Sequence, residues 1–151
     1  MNEQKQTEKW IKLGNEAVLI GELKLAKKYF LRALSIEPDN VVGWGNLGVV
    51  QEQLGQDLDA ELSIRRAIEI APDYAKGFYN LGMLMVKLGK PSEAADYLEK
   101  ATKLMPEKLE YVFNQGVNLQ RMGKISEQID SFEKVAQINP DYPEIYYWLW
   151  L

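Results

Sequence analysis

Apolar residues recur along this chain at three- and four-residue intervals in short runs, and each run is closed by a glycine or a proline. In the first run Trp10, Leu13, Gly14 and Ala17 share one face of a 3.6-residue period, which predicts a helix. Gly21 breaks it, as a residue able to turn left-handed does just past a helix end. Ala26, Phe30, Ala33 and Leu34 then set a second stripe. Pro38 ends that one, because proline cannot continue the hydrogen-bond ladder and restricts the residue before it. The pattern then begins again. Trp10-x-x-Leu13-Gly14 returns every 34 residues as Trp44-x-x-Leu47-Gly48, Phe78-x-x-Leu81-Gly82 and Val112-x-x-Gln115-Gly116. Gly21, Gly55, Gly89 and Gly123 keep the same step, and so do Pro38, Pro72, Pro106 and Pro140. Three registers with one period predict a stacked repeat array. The array divides into four units, 7–40, 41–74, 75–108 and 109–142, each of two helices. At about 13–14 residues, each helix is roughly 20 Å long. Residues 1–6 read as a disordered lead-in and 143–151 as a short terminal helix, giving an all-α chain with no sheet.

Gly14, Gly48, Gly82 and Gly116 fall inside the first helices, where glycine costs about 1 kcal/mol relative to alanine. A small residue follows each of the first three at twelve positions, Ala26, Ala60 and Ala94, and the pairing predicts that facing small residues let the two helices approach. The fourth unit has Gln128 in that slot, so its pair is expected to pack differently or to turn the amide outward.

Composition narrows the chemistry. The net charge of -4 gives no strong attraction to nucleic acid or an anionic membrane. With no cysteine and no histidine, the usual nucleophile–base pairs and the commonest zinc ligands are missing, so neither an enzyme nor a cofactor site is expected. The polar stretch 1–9 has no apolar core of a signal peptide, and no apolar run approaches the ~18 residues of a membrane span. A cytoplasmic protein is the expectation.

The combination Trp-x-x-Leu-Gly, Ala-x-x-x-Phe and Pro at a 34-residue step resembles the tetratricopeptide repeat family, and the likeness covers 136 of 151 residues. The second element reads Ala26…Phe30, Ala60…Ile64, Ala94…Leu98 and Gln128…Phe132. The aromatic usual three residues after the first glycine is absent, with Ala17, Gln51, Met85 and Leu119 in its place. The resemblance implies an α-solenoid of antiparallel helix pairs in a right-handed superhelix, whose first helices line a concave groove. It also implies a scaffold or adaptor that binds a peptide segment of another protein; with the charge balance above, neither nucleic acid nor a membrane is expected as a partner.

One register fits that role. Asn46, Asn80 and Asn114 precede the Leu-Gly or Gln-Gly pairs that take the buried face, so they project elsewhere. An amide offers donors and an acceptor, and a ladder of amides can bracket the backbone of an extended peptide without reading its sequence. Similar ladders occur in the repeat region of O-linked N-acetylglucosamine transferases. Lys12 and Trp148 stand in the rung position at the two ends. The plainer alternative is a tolerated polar residue on an exposed helical face. Beside the rungs run Tyr79, Phe113 and Tyr147, and three residues after them Val49, Met83 and Val117. These form either an apolar flank of the groove or core. The groove's charges nearly cancel, Lys12, Lys76, Lys87 and Arg121 against Glu52, Glu110 and Glu144.

The carboxylate clamp of chaperone-binding repeats would ask for Lys, Asn, Asn, Lys and Arg at positions 11, 15, 46, 76 and 80. Asn15, Asn46 and Lys76 match, but Ile11 and Asn80 remove two of the three cations that would neutralise the carboxylate. Asp57-x-Asp59-x-Glu61 lacks the glycine and the final glutamate of a calcium loop and reads as a helix cap. At the C-terminus Tyr146, Tyr147, Trp148, Trp150 and Leu151 crowd one segment, with Trp150 where a repeat glycine would stand. A terminal helix should be polar outside. The alternative function is therefore self-association, with Tyr146, Trp148, Trp150 and Leu151 forming a homo-oligomer contact.

Overall fold

A computed structural model describes residues 2–149. Trp150 and Leu151, two of the residues expected to self-associate, lie outside the described residues. The helices are α1 (Glu3–Leu19), α2 (Leu23–Ile36), α3 (Val41–Gln53), α4 (Asp57–Ile70), α5 (Ala75–Lys87), α6 (Pro91–Leu104), α7 (Leu109–Arg121), α8 (Ile125–Ile138) and α9 (Ile145–Leu149). No strand occurs among the described residues. None of the described helices is long and apolar enough to cross a membrane.

α1 starts inside the stretch 1–6 expected to be disordered. The Asn2 side chain accepts a hydrogen bond from the Lys5 backbone N–H at 2.9 Å, and Glu3 sits in the first turn. An amide cap and an acid at the positive helix end account for the early start. Asp57 and Asp59 likewise occupy the first turn of α4, where they favour the dipole, but the capping residue is Gln56 and it makes no side-chain bond. The acidic run expected to cap α4 thus sits in its first turn, with Gln56 at the cap position.

Each first helix ends on a left-handed glycine. Gly21 has φ 79°, the Glu22 N–H reaches Ala17 O at 2.9 Å, and the Gly21 N–H reaches Val18 O at 3.0 Å. Gly55, Gly89 and Gly123 repeat this closure, with φ between 72° and 75°. Nothing lies within 4 Å of a Cβ built on any of the four, so the backbone angle alone demands glycine there.

The chain forms two compact units, Met1–Asn80 and Leu81–Leu151, with the boundary inside α5. In the first, Ala17, Ala26, Phe30, Leu34, Leu47 and Val50 are buried together in one core cluster. In the second, Val112, Phe132, Val135 and Ile145 are buried together. The mid-helix glycines are explained by close approach, but to a different neighbour than expected. A Cβ on Gly14 would collide with the Phe30 ring. On Gly48 it would lie 2.5 Å from Ile64 Cγ1, on Gly82 2.8 Å from Leu98, and on Gly116 2.6 Å from the Phe132 ring. The residue sixteen positions on, and not the alanine at twelve, fills each glycine slot. At Gly48 the alanine also comes near, through Ala60 O at 3.2 Å.

Gln128 does not turn outward. It is 5% exposed, and its Oε1 is buried without a hydrogen-bond partner among the described residues. The packing of Phe132 against Gly116 leaves that side chain inside the pair. Gln51, standing where the resemblance would put an aromatic, is satisfied. Its Oε1 accepts from Ser63 Oγ at 2.6 Å, with both residues buried.

Candidate peptide-binding surface

In the first unit α1 and α3 pack directly against one another. Asn40 caps α3, accepting from the Gly43 N–H at 2.8 Å, and its Nδ2 donates to Glu37 at 3.0 Å. The Trp44 indole N–H donates to Pro38 O at 2.7 Å, which pins the turn to the helix it feeds. With α3 so placed, Asn46 Nδ2 donates to Asn15 Oδ1 at 2.9 Å. Asn46 is half-buried and Asn15 exposed. The pair keeps one acceptor, Asn46 Oδ1, and one amide group, Asn15 Nδ2, for other partners.

A groove of about 480 Å³ lies beside this pair. Ile11, Leu19 and Val42 supply its apolar walls, and Glu8, Glu16 and Lys12 its charges. Leu19 is 86% exposed and forms an apolar wall of this groove together with Ile11 and Val42. Sequence reasoning passed over Leu19 and Val42. The signal was present, since Gln53, Lys87 and Arg121 stand at the Leu19 register, and Lys76 and Glu110 at the Val42 register.

The three expected rungs occupy three different environments. Asn46 is tied to Asn15 across helices. Asn80 is half-buried, and its Nδ2 is buried with no partner among the described residues. Asn114 is half-buried, and its Nδ2 donates to Glu110 O at 2.9 Å, one turn back in its own helix. Lys12, the residue in register with the rungs, does not continue the set; Asn15, one turn further on, does. Lys76 is exposed, while Tyr79, Val49 and Met83 are half-buried.

In the second unit two residues of the expected flank, Phe113 and Val117, pack against the core, the other of the two alternatives the pattern left open. Phe113 lies 5.6 Å from the Phe132 ring, 5.5 Å from Tyr142 and 6.3 Å from Trp148, and Val117 packs on the same cluster. Trp148, expected as part of a self-association surface, is half-buried and packs against that cluster, 5.9 Å from the Phe132 ring. α9 folds back and buries Ile145 completely, and the ring at 148 follows it in. Tyr147 remains 66% exposed, edge-on to Trp148, and Tyr146 is also exposed. The Tyr142 phenol is pushed above its ordinary range by burial and then by the Glu144 and Glu110 carboxylates.

Tetratricopeptide repeat profiles match residues 8–40, 29–61, 75–108 and 109–142. No curated protein is significantly similar in sequence. Among solved structures, the chain is similar to the MamA protein with a TM-score of 0.83 at 22% identity, over 97% of this chain and 80% of that one. It is similar to Pseudomonas aeruginosa pilF with a TM-score of 0.90 at 23% identity, over 97% and 67%. A third likeness is to YrrB, described as a TPR protein with an unusual peptide-binding site, with a TM-score of 0.77 at 24% identity, over 93% and 72%. At these identities the likeness is one of fold.

Proposed function

The chain belongs to the tetratricopeptide repeat family, and on that premise we propose that it is a non-catalytic adaptor that grips an extended segment of another protein in the groove beside α1 and α3. The observation that carries this reading is the Asn15–Asn46 amide pair next to an exposed apolar wall. The pair offers an acceptor and a donor group to a peptide backbone, while Ile11, Leu19 and Val42 offer a surface to apolar side chains. With Glu8 and Glu16 against Lys12, the rim favours a segment carrying a positive charge. The peptide-binding site attributed to YrrB lends the reading support by analogy of fold.

The test is calorimetry with a peptide selected from a random library on the wild-type protein. Asn15→Ala with Asn46→Ala removes both amides from partly exposed positions, so the fold is retained. Each hydrogen bond between neutral groups is worth about 0.5–1.5 kcal/mol. The double variant therefore binds roughly ten- to a hundredfold more weakly. Equal binding by both proteins, or selected peptides that still bind after Val42→Asp, would remove the groove from consideration. Self-association is the second reading. Among the described residues it rests on the exposed Tyr146 and Tyr147, beside a half-buried Trp148 that also packs against Phe132.

A further inference from the structure

The second helices of the four pairs share a register but not a charge. α4 sets Asp57, Asp59, Glu61 and Glu69 against Arg65 and Arg66. α6 sets Glu93, Asp96 and Glu99 against Lys100 and Lys103, and α8 sets Glu127, Asp130 and Glu133 against Lys134. α2 carries Lys24, Lys27, Lys28 and Arg32 and no carboxylate between Leu23 and Ile36. Four uncompensated cations thus gather on one helix of a chain whose net charge is -4.

On α4 and α6, cations meet carboxylates. Arg65 meets Glu61 at 2.7 Å, Arg66 meets Asp39 at 3.1 Å and Glu69 at 3.3 Å, and Lys103 meets Glu99 at 2.7 Å. On α2, among the described residues, Lys27 Nζ donates to the neutral Gln56 amide at 2.6 Å, and Arg32 lies over the Trp10 ring, 5.6 Å from its centre. Among the described residues none of the four pairs with a carboxylate. The acids of the other helices are replaced by leucines here: Leu25 stands in register with Asp59, Glu93 and Glu127, and Leu31 with Glu99 and Glu133. Leu31 is 47% exposed. Around it Lys24, Lys27, Lys28, Arg32 and Ser35 bound an open depression of about 440 Å³.

We infer that the outward face of α2 is a docking surface for an acidic segment of a partner protein, one that carries an apolar side chain for Leu31. Charge complementarity selects the sign, and the leucine among the cations selects a peptide over a polyphosphate. A nucleic acid or an anionic membrane presents a continuous negative surface, which the acidic remainder of this chain opposes beyond the single helix. The face belongs to different helices from the groove of α1 and α3, so the chain can hold two segments at once.

The probe is a fluorescein-labelled peptide of glutamate pairs separated by leucines, followed by fluorescence anisotropy on the full chain. It binds at low ionic strength and weakens as salt is added, because exposed pairs are screened. Lys24→Gln with Lys28→Gln weakens it about tenfold. Both lysines are exposed, so the melting temperature stays unchanged. Leu31→Ser weakens the leucine-containing probe and not an all-glutamate one. The inference is overturned if the wild type fails to bind the probe or if the double variant binds as tightly. Tighter binding of an oligothymidylate or of phosphatidylserine vesicles, lost in the same variant, would overturn the choice of a protein partner. A wild-type dimer by light scattering that the variant dissolves would assign the face to a second copy and overturn it too.

Discussion

Gly14 lies against the Phe30 ring and Gly116 against the Phe132 ring, so the first and fourth helix pairs approach through the same glycine–aromatic contact. The neighbouring slot differs. Ala26 is fully buried and has no polar atom to satisfy, whereas Gln128 is buried with an orphaned carbonyl oxygen. A buried unsatisfied acceptor costs about 1–3 kcal/mol. The fourth pair bears that cost and keeps its glycine–ring contact, so the contact at sixteen residues governs the approach and the slot at twelve adjusts to it.

The comparison is broken most directly at the glycines. Gly14→Leu and Gly116→Leu should each destabilise by about 3 kcal/mol, because the added atoms meet a ring already fixed by the core. Thermal denaturation reads this, and a wild-type melting curve for either variant would end the claim that the pairs share one contact. Exchanging the slots gives the next effect. Ala26→Gln should cost about 2 kcal/mol by burying an amide without partners, while Gln128→Met should gain about 1 kcal/mol by removing one. Chemical denaturation compares the two, and a loss of stability in Gln128→Met would mean that the amide contributes something its neighbours do not reveal.

The smallest effect separates the units by pH. Tyr111 is raised above 10.0 by burial and then by the Glu110 carboxylate, and Tyr142 is raised by burial and then by Glu144 and Glu110. A raised folded pKa means that the unfolded chain ionises first. The stability held in the neutral phenols is complete below pH 10.0 and is lost as pH rises through the folded values. Both phenols lie in the second unit. Tyr111→Phe should flatten the alkaline decline seen by denaturation on either side of that pH, and an unchanged decline would exclude this tyrosine as its source.

The helix pairs were legible because glycine, proline and apolar registers repeat with one period, and each marks a helix end or a buried face. The fit within the pairs was less so. Periodicity assigns residues to faces but gives no distances, so the alanines at twelve looked like the partners that Phe30, Ile64, Leu98 and Phe132 turned out to be. The Asn15–Asn46 bond spans 31 residues, off the 34-residue step, and a comparison of equivalent positions passes over it. Phe113, Val117 and Trp148 pack inward for a further reason. A position that faces outward in one pair becomes core where another element covers it, and α9 with its buried Ile145 does so there. The acidic run at Asp57 was legible as a helix-start signal, because carboxylates in the first turn favour the positive end of the helix dipole.

Because each glycine and the side chain that fills it belong to one helix pair, a 34-residue stretch of the gene encodes its own tightest contact. Duplicating or deleting a whole stretch leaves every such contact intact. Inserting a single codon between Gly48 and Ile64 destroys one of them. Such a chain changes length readily in whole modules and poorly by single residues, and its evolutionary unit is the helix pair.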